Sequence, residues 1–207
     1  MKKIYISAIV LAFAYACGDA PKSTSDTEEN VEITAETTST EEKYILPGEK
    51  HFKNLRMLTN GGDNAEAYWS FDDSKLVMQV TNPAWDLECD QIFYFDVEND
   101  DVINQRPKMV STGEGRTTCA FFLPGDTTIL YASTHHHNKA CPPAHERPGG
   151  KYTWPIHSEF DIFIADLDGN IIKQLTEGEG YNAEATVSPK GDKIVFTSMR
   201  SGDLELY

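Results

Sequence analysis

The sequence predicts an all-β chain built as a β-propeller of four-stranded antiparallel blades. Two observations carry this. Asn64-Ala65-Glu66-Ala67 with its sequel to Val80 reappears in register as Asn182-Ala183-Glu184-Ala185 with its sequel to Ser198. Each copy reads as a short strand, a tight turn and a second strand. A third, looser copy lies between them, from Gly113-Glu114-Gly115-Arg116 through Phe121-Phe122-Leu123-Pro124-Gly125-Asp126 to Ile129-Leu130-Tyr131-Ala132-Ser133. The units recur at wider spacing than the roughly 40 to 45 residues of a minimal blade, so the excess belongs in loops.

Within the first unit, β-type runs fall at 67–70, 76–81, 91–96 and 108–111, and four strands per unit is the blade count. The second unit supplies 119–123, 128–133, 160–166 and 170–176, and the third 185–187, 193–198 and 204–207. Residues 52–58 read as an outer strand preceding the first unit. Two full blades and most of a third fall short of the roughly four to eight of a closed propeller, so the sequence is expected to be the N-terminal part of a longer protein.

The blades occupy residues 47–207. Lys2 and Lys3 precede an apolar run from Ile4 to Ala16 that is too short to cross a bilayer comfortably, which marks residues 1–16 as a secretory signal. Ala14-Tyr15-Ala16 before Cys17 resembles the lipobox of bacterial lipoproteins, although Ala14 replaces the usual leucine and Tyr15 a small residue. Cys17 is therefore the expected lipidation site. Residues 17–46 are acidic, rich in Ser and Thr and nearly devoid of apolar groups, as expected of a disordered tether.

The formal charge is −15, and losing Lys2 and Lys3 with the leader makes it more negative. Such a surface repels phosphate backbones and anionic headgroups, which argues against nucleic acid and leaves a lipid anchor as the route to a membrane. Export places Cys89, Cys119 and Cys141 in an oxidising compartment. Cys119 opens the innermost strand of the second blade and Cys141 lies in the long loop of that blade, so a Cys119–Cys141 bridge is favoured, with Cys89–Cys141 the alternative.

Ser188-Pro189-Lys190-Gly191-Asp192-Lys193-Ile194-Val195-Phe196, followed by residues 198–207, closely resembles the WD40-like propeller repeat of TolB-type periplasmic proteins. The resemblance extends over roughly 52–207. Phe71-Asp72-Asp73-Ser74 and Leu123-Pro124-Gly125-Asp126 depart from the Ser-Pro-Asp-Gly turn of that repeat. The resemblance implies a periplasmic scaffold role without identifying the partner; the leading expectation is a noncatalytic lipid-anchored protein of the periplasm or outer membrane whose propeller face binds a protein or glycan. TolB-type repeats also form the gating propeller of serine oligopeptidases, whose catalytic domain would follow residue 207, and this is the enzymatic alternative. A fold of this kind hosts unrelated activities.

If the strands run outward from the channel, one face collects Asn64, Glu66, Trp85, Asn182, Glu184, Tyr152, Trp154 and Arg200 as candidate binding residues. Turn formation is the plainer reading of the two asparagines, and pairing with neighbouring groups that of the two glutamates. Residues 134–159 form a long insertion bearing His135, His136, His137, Cys141, His145 and His157 among prolines and glycines. His135, His136, His137 and His145 suit zinc or another metal, as in a propeller lyase, but no fixed ligand spacing appears, and a solvated loop with no cofactor is the expectation. Asp166-Leu167-Asp168-Gly169-Asn170 resembles a calcium loop only superficially, since Ile171 stands where that loop needs glycine; Asp168-Gly169 is a hairpin turn. No Gly-x-Ser-x-Gly elbow, phosphate loop or His-Glu-x-x-His helix occurs.

Overall fold

Strands whose two faces are both apolar need neighbours on both sides, and the chain supplies them. In the computed structural model, which describes residues 44–143 and 145–207, eleven strands form three antiparallel sheets. Blade 1 contains β1 (Asp63–Trp69), β2 (Lys75–Thr81), β3 (Gln91–Asp96) and β4 (Lys108–Met109), in that order. Blade 2 contains β5 (Thr117–Phe122), β6 (Thr128–Ser133), β7 (Asp161–Asp166) and β8 (Ile171–Gln174). Blade 3 contains β9 (Asn182–Val187), β10 (Ile194–Ser198) and β11 (Glu205–Leu206). The secretory signal expected at 1–16 lies outside the described residues, as does the spacer expected at 17–46 except for residues 44–46.

Alternation assigns each side chain to one seam. Val77, Ile92 and Val110 of blade 1 meet Ala120, Phe122, Ile129, Tyr131 and Ala165 of blade 2, all essentially inaccessible to solvent. Leu130, Ala132 and Ile162, on the opposite face of blade 2, meet Ala183, Ala185 and Val187 of blade 3. Leu76, Met78, Val80, Phe93 and Phe95 turn to the far side of blade 1, where Leu58, Trp85, Leu87 and Val102 cover them. Fully burying one such large aliphatic or aromatic side chain is worth about 1.5–3 kcal/mol. The seams therefore dominate the stability of the array.

The innermost strands start earlier than the apolar pattern suggests, because each accommodates a bulge. Register slips between Ala65 and Tyr68 in β1, between Thr118 and Phe121 in β5, and between Val195 and Thr197 opposite β9. The residues at the bulge, Glu66, Cys119 and Glu184, have φ of 51°, 44° and 55°. Such a bulge inserts one unpaired residue and sharpens the twist of its strand.

Residues 52–58 do not form the expected outer strand. Leu58 is drawn onto the flank of blade 1 and Arg56 reaches Val97 O and Glu98, while β4 pairs through Phe93 and Tyr94 alone. That short outer strand offers little ladder for another to join.

The turns between first and second strands are equivalent: the amides of Asp73, Asp126 and Gly191 donate to Ser70 O, Leu123 O and Ser188 O. All three positions are left-handed, with φ of 59°, 54° and 70°. In the second turn the Asp126 carboxylate also accepts the amides of Phe71 and Asp72, at 2.8 and 3.0 Å, and so staples turn to turn across the first seam. Gly191 is glycine for another reason. A Cβ there would lie 2.2 Å from Pro124 Cγ, in the neighbouring turn. Gly191→Ala is expected to destabilise the fold by about 2 kcal/mol, from left-handed strain and the clash combined. Restoring space with Pro124→Ala should recover part of that loss in denaturant unfolding; full additivity of the two substitutions would show that the two turns do not touch.

Candidate functional site

The connections that enter the innermost strands, together with the β2–β3 and β6–β7 loops, share one rim of the array. The β6–β7 insertion is tied to this rim at several points. Gly115 N donates to Lys139 O, Thr134 N donates to Arg116 O, and Lys139 Nζ pairs with Glu114 at 3.0 Å. A disulfide joins Cys141 to Cys89, and Cys119 is free. The favoured Cys119–Cys141 pairing is thus replaced by its alternative. The reason is the β5 bulge, which fixes the Cys119 amide on Gln79 Oε1 at 3.1 Å and commits its side chain to the inner strands, whereas Cys89 lies in the loop that the insertion reaches.

Beneath the insertion lies a cavity of about 330 Å³. Its floor is polar: Gln79 of β2, Asp90 just before β3, and Arg116, Thr117 and Thr118 at the start of β5. Asp90 is the hub. It accepts from Thr81 Oγ1 and from Arg116 Nη1, the latter at 3.0 Å, while its main-chain carbonyl accepts both the amide and hydroxyl of Thr117. Gln79 Oε1 accepts from Thr118 Oγ1 at 3.1 Å as well as from the Cys119 amide. The insertion supplies the roof through His145, Arg147, Tyr152, Trp154 and His157, and Phe160 and Tyr181 close one wall. Tyr152 and Trp154 stand edge to face with centroids 6.3 Å apart and remain 72% and 60% exposed. Arg147 lies 5.7 Å over the Tyr152 ring. Burial, with Arg116 as the next contributor, lowers the pKa of His157.

The three bulge residues form a second group. Tyr68 donates to Glu66 at 2.5 Å, and Tyr181 and Thr197 both donate to Glu184 at 3.1 Å. The bond to Glu66 is the main cause that pushes the Tyr68 hydroxyl up to about 12, while burial pushes the Cys119 thiol up to about 11. Burial likewise raises Tyr181, with Glu184 adding to it.

Of the other candidate residues, Asn182 links blades 2 and 3, while Asn64 and Trp85 bond or pack within blade 1. Asn64 Nδ2 caps Gly61 O at 3.0 Å. Asn182 is buried; its amide nitrogen donates to Asp161 and Gly180 O, and its oxygen accepts from Ser198 and from Arg200 at 3.2 Å. Trp85 packs 5.5 Å from Phe93 under the Arg106 guanidinium, on the flank of blade 1. The expected site residues thus divide: Tyr152 and Trp154 reach the cavity, and the repeat residues build the joints around it.

The histidines take different partners, although the rings of His135, His136 and His137 stay 6.2 to 6.4 Å apart in sequence order. His135 engages Ser133, His137 the buried Asp161 at 3.0 Å, and His145 Thr153 at 2.6 Å. His135 and His136 lie against Phe163 at 4.5 and 6.1 Å. Among the described residues no three His, Cys, Asp or Glu side chains come together in a way that could hold a metal ion, so His135, His136, His137 and His145 do not assemble the metal site considered from sequence. Asp166 forms the expected hairpin, accepting from the amides of Asp168 and Asn170, and the Asn170 side-chain bond is the first cause of its lowered pKa.

Sequence reasoning passed over Arg116, Gln79 and Arg147. Arg116 had a faint signal, since it closes the Gly113-Glu114-Gly115-Arg116 start of the second repeat. Gln79 had none, being one polar residue inside an apolar strand.

No family model matches the chain. A stretch of 48 residues, 23% of the chain, is 40% identical to an uncharacterised protein of Agrobacterium fabrum and covers 16% of it. A solved structure from Agrobacterium tumefaciens, provisionally named TolB, superposes on 69% of the chain with a TM-score of 0.51 at 19% identity. The chain spans 41% of that protein. The shared feature is the fold: a TolB-like propeller of antiparallel four-stranded blades.

Two measurements check the cysteine chemistry. Non-reducing peptide maps should yield a Cys89–Cys141 peptide, and Cys89→Ser should lower stability by about 4 kcal/mol under the chain-entropy model for a loop of this length. A bridged Cys119 peptide would overturn the assignment. The raised pKa of Cys119 makes its contribution complete below the ordinary thiol value of 9.0 and lost as pH rises through about 11. Cys119→Ala should therefore flatten the decline in unfolding free energy across that alkaline window; an unchanged slope would contradict the burial of the thiol.

Proposed function

We propose that this chain is a noncatalytic binding protein of the bacterial envelope, using the roofed rim of its propeller to hold a protein or glycan partner. One observation carries the reading. The insertion that covers the rim contributes no strand to the blades, yet the disulfide and the Gly115–Lys139 bond pin it over a cavity with two exposed aromatic side chains at its mouth. Concave sites with aromatic walls and a few placed polar groups are where ligands bind. Exposed Trp and Tyr supply large contact area at small conformational cost. The TolB-like fold supports a scaffold role.

Lipidation of Cys17 would anchor the protein, and the acidic segment up to residue 46 would hold the propeller away from the bilayer. The order Lys2, Lys3, apolar run, Ala14-Tyr15-Ala16, Cys17 supports this part of the reading. A single acyl chain binds membranes only marginally, so the full set of chains added to a lipoprotein cysteine is required. Cys17→Ser should move the protein from the membrane to the soluble fraction; retention after a high-salt wash would reject the anchor.

The binding face is tested by presenting the intact, disulfide-bonded chain to arrays of envelope glycans and envelope proteins. Trp154→Ala should weaken the captured interaction at least tenfold, which is about 1.4 kcal/mol, as expected for a buried aromatic anchor. Wild-type affinity in that variant would remove the roofed rim from consideration.

A further inference from the structure

We propose that the roofed cavity is a subsite for a single sugar acid, with its ring against the aromatic walls and its carboxylate among the leftover donors of the floor and rim. This rests on the binding-face reading above and names the chemistry of the ligand.

The argument begins with unused hydrogen-bonding capacity. Both Asp90 carboxylate oxygens are occupied, by Thr81 and Arg116, and Gln79 Oε1 already accepts two bonds. The floor's acceptors are therefore largely consumed. Its donors are not: among the described residues neither Arg116 Nη2 nor Gln79 Nε2 donates to any group, and Arg116 Nε is buried without a partner. Donors left without acceptors are costly, so the floor favours a ligand rich in acceptors. An ionised carboxylate accepts only and has about four lone-pair sites.

Charge agrees with this count. Asp90 and Arg116 neutralise one another, whereas Arg147 has no carboxylate partner among the described residues and rests on Tyr152. The cavity of a chain with net charge −15 thus carries an uncompensated guanidinium at its mouth. A guanidinium fork matches a carboxylate in bidentate geometry.

The walls decide what carries the carboxylate. Tyr152 and Trp154 form one aromatic pair in the roof, and Phe160 and Tyr181 form another, edge to face at 5.8 Å, in the wall. A pyranose presents C–H groups to such rings and hydroxyls to Gln79 and Thr118. A flat aromatic acid would satisfy the walls and leave those polar groups dry. An extended peptide brings as many backbone donors as acceptors, and the floor has few acceptors to offer. The volume, about 330 Å³, sits at the small end of ligand pockets and suits one ring.

The test is calorimetric and NMR titration of the disulfide-bonded chain with D-glucuronate, D-glucose and acetate. Glucuronate should bind saturably, with glucose and acetate each at least tenfold weaker. Arg147→Gln should bring glucuronate down to the level of glucose and leave glucose unchanged, while Trp154→Ala weakens both sugars; unchanged melting temperatures establish that both variants are folded. Equal affinity for glucose and glucuronate, no effect of Arg147→Gln, or no saturation by glucuronate up to about 10 mM, the millimolar regime of single-sugar recognition, overturns the proposal. Trp154-dependent capture of a neutral glycan or a protein, with glucuronate silent, overturns the sugar-acid assignment alone and leaves the binding face standing.

Discussion

Burial on both faces of the middle strands is the constraint on which everything else rests. β2, β3, β6 and β7 carry apolar side chains at successive positions, so neither face of blade 2 can meet water. The sheet must be sandwiched, which aligns the innermost strands side by side and gathers their entry loops at one rim. The polar seams then follow. The amides of Thr117 and Asn182, which open β5 and β9, donate to the carbonyls of Asp90 and Phe160, just ahead of the third strand of the preceding blade. A repeated backbone bond thereby sets the spacing between blades, and the cavity floor is a by-product of the first of these joints.

The bulges refine that arrangement. A residue with positive φ in each innermost strand turns the chain enough for Glu66, Cys119 and Glu184 to occupy equivalent places. Two of the three are carboxylates bonded by tyrosines, and the third is a thiol that burial keeps protonated. One backbone geometry here carries two different side-chain chemistries.

Much of the fold was legible because it repeats. The three in-register copies locate all three turns, and the β-type runs locate the strands, since both signals are local. The strand expected at 52–58 failed because its apolar residues record contact with blade 1, and contact alone does not decide whether a backbone pairs. The site was legible in part. Tyr152 and Trp154 stood out as aromatics in a loop without apolar periodicity. The role of Gln79 depends on a strand 39 residues later, through its bond to Thr118, and no local pattern registers such a pairing. The disulfide is hidden for a related reason: Cys119 and Cys141 belong to one blade, and only the assembled seam reveals the rim-to-rim reach of the insertion to Cys89.

The Cys89–Cys141 bridge has a consequence for how this protein can change over evolutionary time. It crosses from the β2–β3 loop of one blade to the insertion of the next, and the insertion returns to the sheet at Phe160, buried in the second seam. The segment between, residues 142–159, is therefore a replaceable cassette held at both ends by structure that does not consult its sequence. Substitutions there can exchange one exposed surface for another while the hydrophobic seams that keep the protein folded are left alone. A lineage could thus diversify this surface on an inherited frame, much as hypervariable loops do on a conserved sandwich.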